Sequence, residues 1–197
     1  TSCTITNIRG IVRMNASTND AMSVTVNDCI IIGLGRAATS NHYGLLLSDK
    51  VTLTSINLMV SNTSVIVAKG ASASQFIRHK SGQTGTITIK DCTFYDMSAS
   101  DAFCRDTKDM TMTISNTLFA KGGVKPFYNT SSVAATLNAN GLYKTSDFTF
   151  GTADWGKDYT ILPLTSDQLF PNGSNEDLTF GADVPEEYRV GDPRWNK

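Results

Sequence analysis

The sequence predicts an all-β chain: a single-stranded right-handed parallel β-helix of about six coils with an irregular C-terminal cap. Three observations predict it. First, a short phrase recurs: Thr88-Ile89-Lys90-Asp91-Cys92-Thr93-Phe94 returns as Thr25-Val26-Asn27-Asp28-Cys29-Ile30 and as Thr113-Ile114-Ser115-Asn116-Thr117-Leu118. Fainter copies read Thr4-Ile5-Thr6-Asn7, Thr52-Leu53-Thr54-Ser55 and Thr136-Leu137-Asn138-Ala139. Second, the leading threonines at 4, 25, 52, 88, 113 and 136 lie 21, 27, 36, 25 and 23 residues apart, a solenoid period with one long insertion. Third, each copy alternates apolar with polar residues and runs into Asn, Asp or Ser, which reads as a strand entering a polar turn.

Each element then has a reason. A second recurring segment, Ile11-Val12-Arg13-Met14, Phe76-Ile77-Arg78-His79 and Phe103-Cys104-Arg105-Asp106, with Leu45-Leu46-Leu47-Ser48 as a weaker member, supplies another strand per coil. Strands this short bury nothing as isolated hairpins, so they must stack coil on coil around a shared core. A period near 23 residues suits three sheets rather than a hexapeptide helix. The register predicts one inward ladder of Ile5, Val26, Leu53, Ile89, Ile114 and Leu137. It also predicts a polar ladder of Asn7, Asp28, Ser55, Asp91 and Asn116, lapsing at Ala139, where side chains serve backbone groups left unpaired at the bend.

Residues 1–147 are read as the coils. From 148 to 197 the composition changes: four of the five prolines, both tryptophans and eight of the 17 aromatics fall there. This segment reads as a final partial coil and cap of the same domain, with Leu162, Leu164, Leu169, Phe170 and Phe180 sealing the last cross-section. The chain starts inside a repeat, so the expectation is a piece of a longer protein whose other modules cover the first coil.

Bulk properties exclude several functions. A net charge of −1 gives no global attraction for nucleic acid or anionic membranes. No apolar run reaches the roughly 20 residues of a spanning helix. The four cysteines, Cys3, Cys29, Cys92 and Cys104, match neither zinc nor Cys-x-x-Cys spacing. Cys29 and Cys92 are expected two coils apart, with Ile56 between them, too far to bridge. All four are expected as free thiols in or beside the core. No cofactor and no metal are expected; Asn19-Asp20 and Asn27-Asp28 are the nearest approach to calcium ligands.

The candidate site is a cationic row. Arg13, Arg78 and Arg105 hold one slot in successive segments, near His79, Lys80, Asp106 and Lys108. Guanidinium forks bind carboxylates, so an outward row suits an acidic polysaccharide. A lyase would also need a base, for which Lys80, His79 or Arg105 are candidates. Solvated strand ends paired with Asp101, Asp106 and Asp109 explain the same residues without a ligand. Hydrolysis would need two convergent carboxylates, and no pair stands out among Asp91, Asp96, Asp101, Asp106 and Asp109. Trp155, in a loop-like stretch, offers a face for stacking sugars; Trp195 is expected to pin the tail. His42 sits near no nucleophile motif.

The phrase around Thr88–Phe94, the preceding Phe76-Ile77-Arg78, and the endings Leu169-Phe170-Pro171 and Gly191-Asp192-Pro193-Arg194-Trp195 carry a resemblance. The chain resembles the pectin-lyase-like β-helix family, and more narrowly the β-helical domains near the C-terminus of Bacteroidetes surface lipoproteins, many linked to polysaccharide utilisation. The resemblance implies display at the outer-membrane surface through a lipid anchor elsewhere in the chain, after fibronectin-like modules. It implies a polysaccharide partner. The leading expectation is a non-catalytic carbohydrate-interacting module; a lyase or hydrolase of acidic glycans and a structural spacer or adhesin-like stalk are the alternatives.

Overall fold

The structure, a computed structural model, describes residues 3–15, 20–35, 44–71, 75–80, 82–97, 102–107, 109–128, 136–151 and 158–196. The chain is all-β and parallel, with almost no helix. Its strands are β1 (Cys3–Thr6), β2 (Val12–Arg13), β3 (Ala21–Asn27), β4 (Cys29–Leu34), β5 (Leu46–Leu47), β6 (Ser55–Val67) and β7 (Ile77–Arg78). There follow β8 (Gly85–Met97), β9 (Ala102–Arg105), β10 (Met110–Tyr128), β11 (Thr136–Lys144), β12 (Thr149–Phe150) and β13 (Tyr159–Ile161), then one helical turn, α1 (Ser166–Leu169).

The long strands bend, and the sheet curls with them. The first halves of β6, β8 and β10 pair with each other and with β3 and β11, forming a first wall. Their second halves pair onward with β1, β4 and β13 through the end of β11, forming a second wall. The end of β10 pairs with β9, which leads through β7 and β5 to β2, a third wall. Between them lies one apolar core containing Val60, Ile89, Ile114, Phe94 and Phe119.

The corner between first and second walls has a specific chemistry. Asp28, Asn62, Asp91 and Asn116 all adopt left-handed backbone, with φ of 56°, 46°, 54° and 40°, and Gly141 follows at 82°. Asn, Asp and Gly tolerate this region best. The next residue satisfies the corner: Cys29 Sγ donates to the carbonyl of Asn27 at 3.2 Å, Thr63 Oγ1 to Ser61 at 2.7 Å, Cys92 Sγ to Lys90 at 3.1 Å and Thr117 Oγ1 to Ser115 at 2.9 Å. One left-handed residue also inverts the alternation. In β8, Ile87 and Ile89 point inward before Asp91, and Cys92 and Phe94 point inward after it. The Asn/Asp–Thr/Cys dipeptide is thus a corner, not a strand continuation.

Two expected registers are corrected. The inward ladder is Val26, Val60, Ile89, Ile114 and Ala139. Ile5 pairs instead with Ile31 on the second wall, Leu53 precedes β6, and Leu137 pairs with Met112. The polar ladder includes Asn62, not Ser55, and continues through Gly141. Asn7 is left-handed too (φ 55°), but it stands beside Gly33 at the following bend. Two bends with one local cause look alike in sequence.

Inside the second and third walls, phenylalanines stack. Phe94 and Phe119 lie 5.0 Å apart and nearly parallel; Phe76 and Phe103 do likewise at 5.4 Å, and the two pairs meet edge to face. Each such contact adds about 0.5–1.5 kcal/mol beyond burial.

The segment from Leu162 does not seal the last cross-section. It runs along the outside of the second wall, where Leu162, Leu169, Phe170, Leu178, Phe180 and Val184 pack on Ile66, Tyr95, Leu118 and Ala120. Thr165 and Gln168 cap α1 reciprocally. Asp147 accepts from Ser166 N and Oγ at 2.9 and 2.5 Å, tying the helical turn to the preceding bend.

Candidate functional site

The expected arginine column forms. Arg78 and Arg105 are direct register partners, and Arg13 stands two strands from Arg78 with Leu47 between them. Adjacent strands are about 4.8 Å apart, so the guanidinium stems share one outer face of the third wall. The charges do not stand alone. Arg78 Nη1 lies 3.5 Å from Asp49 Oδ2, and Arg105 Nε lies 3.6 Å from Asp106 Oδ2. Asp106 is an expected partner; Asp49 was not foreseen, because it reaches across from the preceding strand's end. Asp101 and Lys108 lie outside the described residues. Arg13 is exposed, and with Arg9, Ile11, Val12 and Leu47 it borders an open cleft of about 270 Å³.

The neighbours of the column are placed as follows. His79 is fully buried, its Nδ1 2.7 Å from Ser48 Oγ, which itself donates to Gln83 Oε1 at 3.3 Å. Burial pushes the imidazole down to about 4, so it is neutral near pH 7 and does not reach a surface ligand. Lys80 is exposed and donates to Thr52 Oγ1 at 2.6 Å. Trp155 lies outside the described residues, as does His42.

The carboxylates separate rather than converge. Asp91 sits at the first corner and accepts from Asn116 Nδ2 at 2.7 Å. Asp96, also left-handed, sits at the far end of the second wall with Lys121 4.0 Å away. Asp106 closes the third wall. One bend each leaves Asp91, Asp96 and Asp106 without a pairing among themselves positioned for acid–base work. Among the described residues, no group of His, Cys, Asp or Glu fits a metal ion.

What sequence reasoning missed is the outer face of the first wall. Three columns of five residues run across it. They are Ser23, Asn57, Thr86, Thr111 and Thr136; Thr25, Met59, Thr88, Thr113 and Asn138; and Asn27, Ser61, Lys90, Ser115 and Asn140. Lys90 is the one charged member, with Asp91 3.7 Å from it. Met59 is the one large apolar member, 43% exposed. The rest are hydroxyls and amides, repeating at about 4.8 Å across strands and about 6.7 Å along them. Some pair within the face, as Thr86 Oγ1 does with Asn57 Oδ1 at 2.8 Å. The signal was present as Thr-x-Thr at 86–88 and 111–113, but was absorbed into the reading of the strands themselves.

The ending also proves functional in a structural sense. Asp192, buried, accepts from Ser64 Oγ at 2.7 Å and takes Arg194 Nε at 3.0 Å; its N–H donates to Thr93 Oγ1 at 3.0 Å. Arg194 Nη2 reaches Asp28 at 3.2 Å and also bonds the Asn62 carbonyl; Trp195 Nε1 donates to Ser64 Oγ at 2.7 Å. Gly191, at φ 97°, allows this approach, since a Cβ there would come within 2.5 Å of Thr93 Oγ1.

The chain matches no protein-family model, no curated protein and no solved structure. No helix among the described residues is long and apolar enough to cross a membrane.

Proposed function

We propose that this chain is a non-catalytic carbohydrate-interacting module, built as a right-handed parallel β-helix of about six coils and displayed at a bacterial outer surface as part of a longer, lipid-anchored protein. The observation that carries the reading is the regular, nearly uncharged hydroxyl and amide face of the first wall. A polysaccharide presents hydroxyls at regular intervals, and a regular array meets it with many weak contacts. Each hydrogen bond nets about 0.5–1.5 kcal/mol, and contacts made along one chain add as multivalent ones do. The balance of charge favours a neutral glycan over an acidic one, because Asp49 and Asp106 already compensate Arg78 and Arg105. A lyase or hydrolase has less support: His79 is buried, and Asp91, Asp96 and Asp106 stand at separate bends.

The test is retention on insoluble polysaccharides, with cellulose, xylan and mannan as neutral probes and polygalacturonate as the acidic one. Retention on a neutral polymer should survive added salt, since no ion pair is involved, and should vanish in the double variant Thr88→Lys/Thr113→Lys. Retention on polygalacturonate alone, lost in Arg13→Ala/Arg105→Ala, would move the site to the arginine column. No retention on any polymer would leave the spacer or adhesin-like stalk as the reading.

A further inference from the structure

Cys3 and Cys29 are direct register partners in the parallel pair β1–β4. Register partners on adjacent strands lie about 4.8 Å apart at Cα, inside the roughly 4.4–6.8 Å span of a disulfide. They also share one face of the sheet, close enough for Cys3 to act electrostatically on the Cys29 thiol. The other cysteines have no such neighbour. Along the same column Thr63 separates Cys29 from Cys92, and Cys104 lies in the third wall between Ile77 and Phe127. Four cysteines allow three complete pairings; the register permits only this one bond.

We propose that Cys3–Cys29 is a reversible disulfide that fastens β1 to the rest of the sheet. Both are thiols in this structure. Cys3 is exposed and Cys29 buried, so reaction enters through Cys3. Burial raises the Cys29 thiol, as does the nearby Cys3, which keeps Cys29 the slower, resolving partner. With a small disulfide such as oxidised glutathione as oxidant, the Cys3 thiolate attacks one sulfur and expels one glutathione thiolate. The Cys29 thiolate then attacks the Cys3 sulfur of the mixed disulfide and expels the second. Two protons leave the protein and two electrons pass to glutathione. Among the described residues β1 pairs on one side only, with β4. A four-residue edge strand can therefore adjust to bring the two Cβ atoms within bonding reach. An exposed bond at such an edge remains reducible, and it secures a strand held from one side.

The experiment incubates the full chain with oxidised glutathione at pH 8 and counts thiols after denaturation without reduction. The count should fall from four to two, and peptide mapping should recover Cys3 linked to Cys29. Cys3→Ser should hold at three thiols, whereas Cys92→Ser should fall from three to one. Amide exchange at Ile5 should slow several-fold in the oxidised chain relative to the reduced one. A count that stays at four, a persistent glutathione adduct on Cys3, or any link through Cys92 or Cys104 would overturn the proposal.

Discussion

The first and second walls are made by the same strands, yet their outer faces differ. In β8 the outward residues are Thr86, Thr88 and Lys90 before the corner and Thr93 and Tyr95 after it; in β10 they are Thr111, Thr113 and Ser115, then Leu118 and Ala120. The first set stays in water. The second is covered by the tail, whose Phe170 lies 6.0 Å from Tyr95, edge to face. The difference teaches that the backbone does not decide which wall is exposed. Side chains set by parity after one left-handed residue do, and an apolar outer wall recruits a cover.

Breaking the covered side should have the largest effect. Phe170, fully buried between Tyr95 and Phe180, should cost about 3–5 kcal/mol when replaced by Ala, read as a lower midpoint in urea unfolding. Next is a change that touches neither face. The His79 imidazole sits at about 4 when folded and at about 6.5 when unfolded. Between those values the unfolded chain binds the extra proton, so stability should be full above pH 6.5 and decline as pH falls toward 4, by up to about 3 kcal/mol. Glycan retention on the uncharged face should stay flat over that range wherever the fold persists. A decline in retention that tracks protonation in the still-folded protein would show that titratable groups take part.

Smaller again is Asp192→Ala. It removes the acceptor for Ser64 and the partner of Arg194, and should cost about 2 kcal/mol, with Trp195 fluorescence shifting red before global unfolding. The smallest effect on stability belongs to the open side. Thr113→Val should change unfolding by less than about 0.5 kcal/mol, yet reduce retention on a neutral polymer. If Thr113→Val unfolds the protein as strongly as Phe170→Ala, the contrast between the two faces is wrong.

The repeat was legible because its corner is encoded by two residues with a reason to be there: a side chain that tolerates left-handed backbone, then a Thr or Cys that reaches back to a carbonyl. Asp91-Cys92, Asp28-Cys29 and Asn116-Thr117 all carry that pair inside the recurring phrase. Asn62-Thr63 is the same device, but it was hidden because Thr52-Leu53-Thr54-Ser55 mimics the phrase seven residues earlier. Asn7 misled in the opposite way, being left-handed at a different bend. The arginine register was legible because Phe76-Ile77-Arg78 and Phe103-Cys104-Arg105 share a pattern. Its neutralisation by Asp49 was not, since that contact joins ends of different strands. Nor could composition say where the tail lies: Phe170 and Leu178 are equally apolar whether they close an end or cover a side.

The anchors of the tail span the height of the sheet, from Asp28 and Asn62 through Thr93 to Asn116, whose Nδ2 donates to the Gly191 carbonyl at 3.3 Å. These partners are translated long before residues 162–196. Until then the row of register partners Ile66, Tyr95 and Ala120, with Leu118 beside it, stands uncovered, the kind of surface that chaperones hold and proteases find. Arrival of residues 162–196 covers those side chains, so a chain stopped before them remains marked for disposal while one that includes them passes.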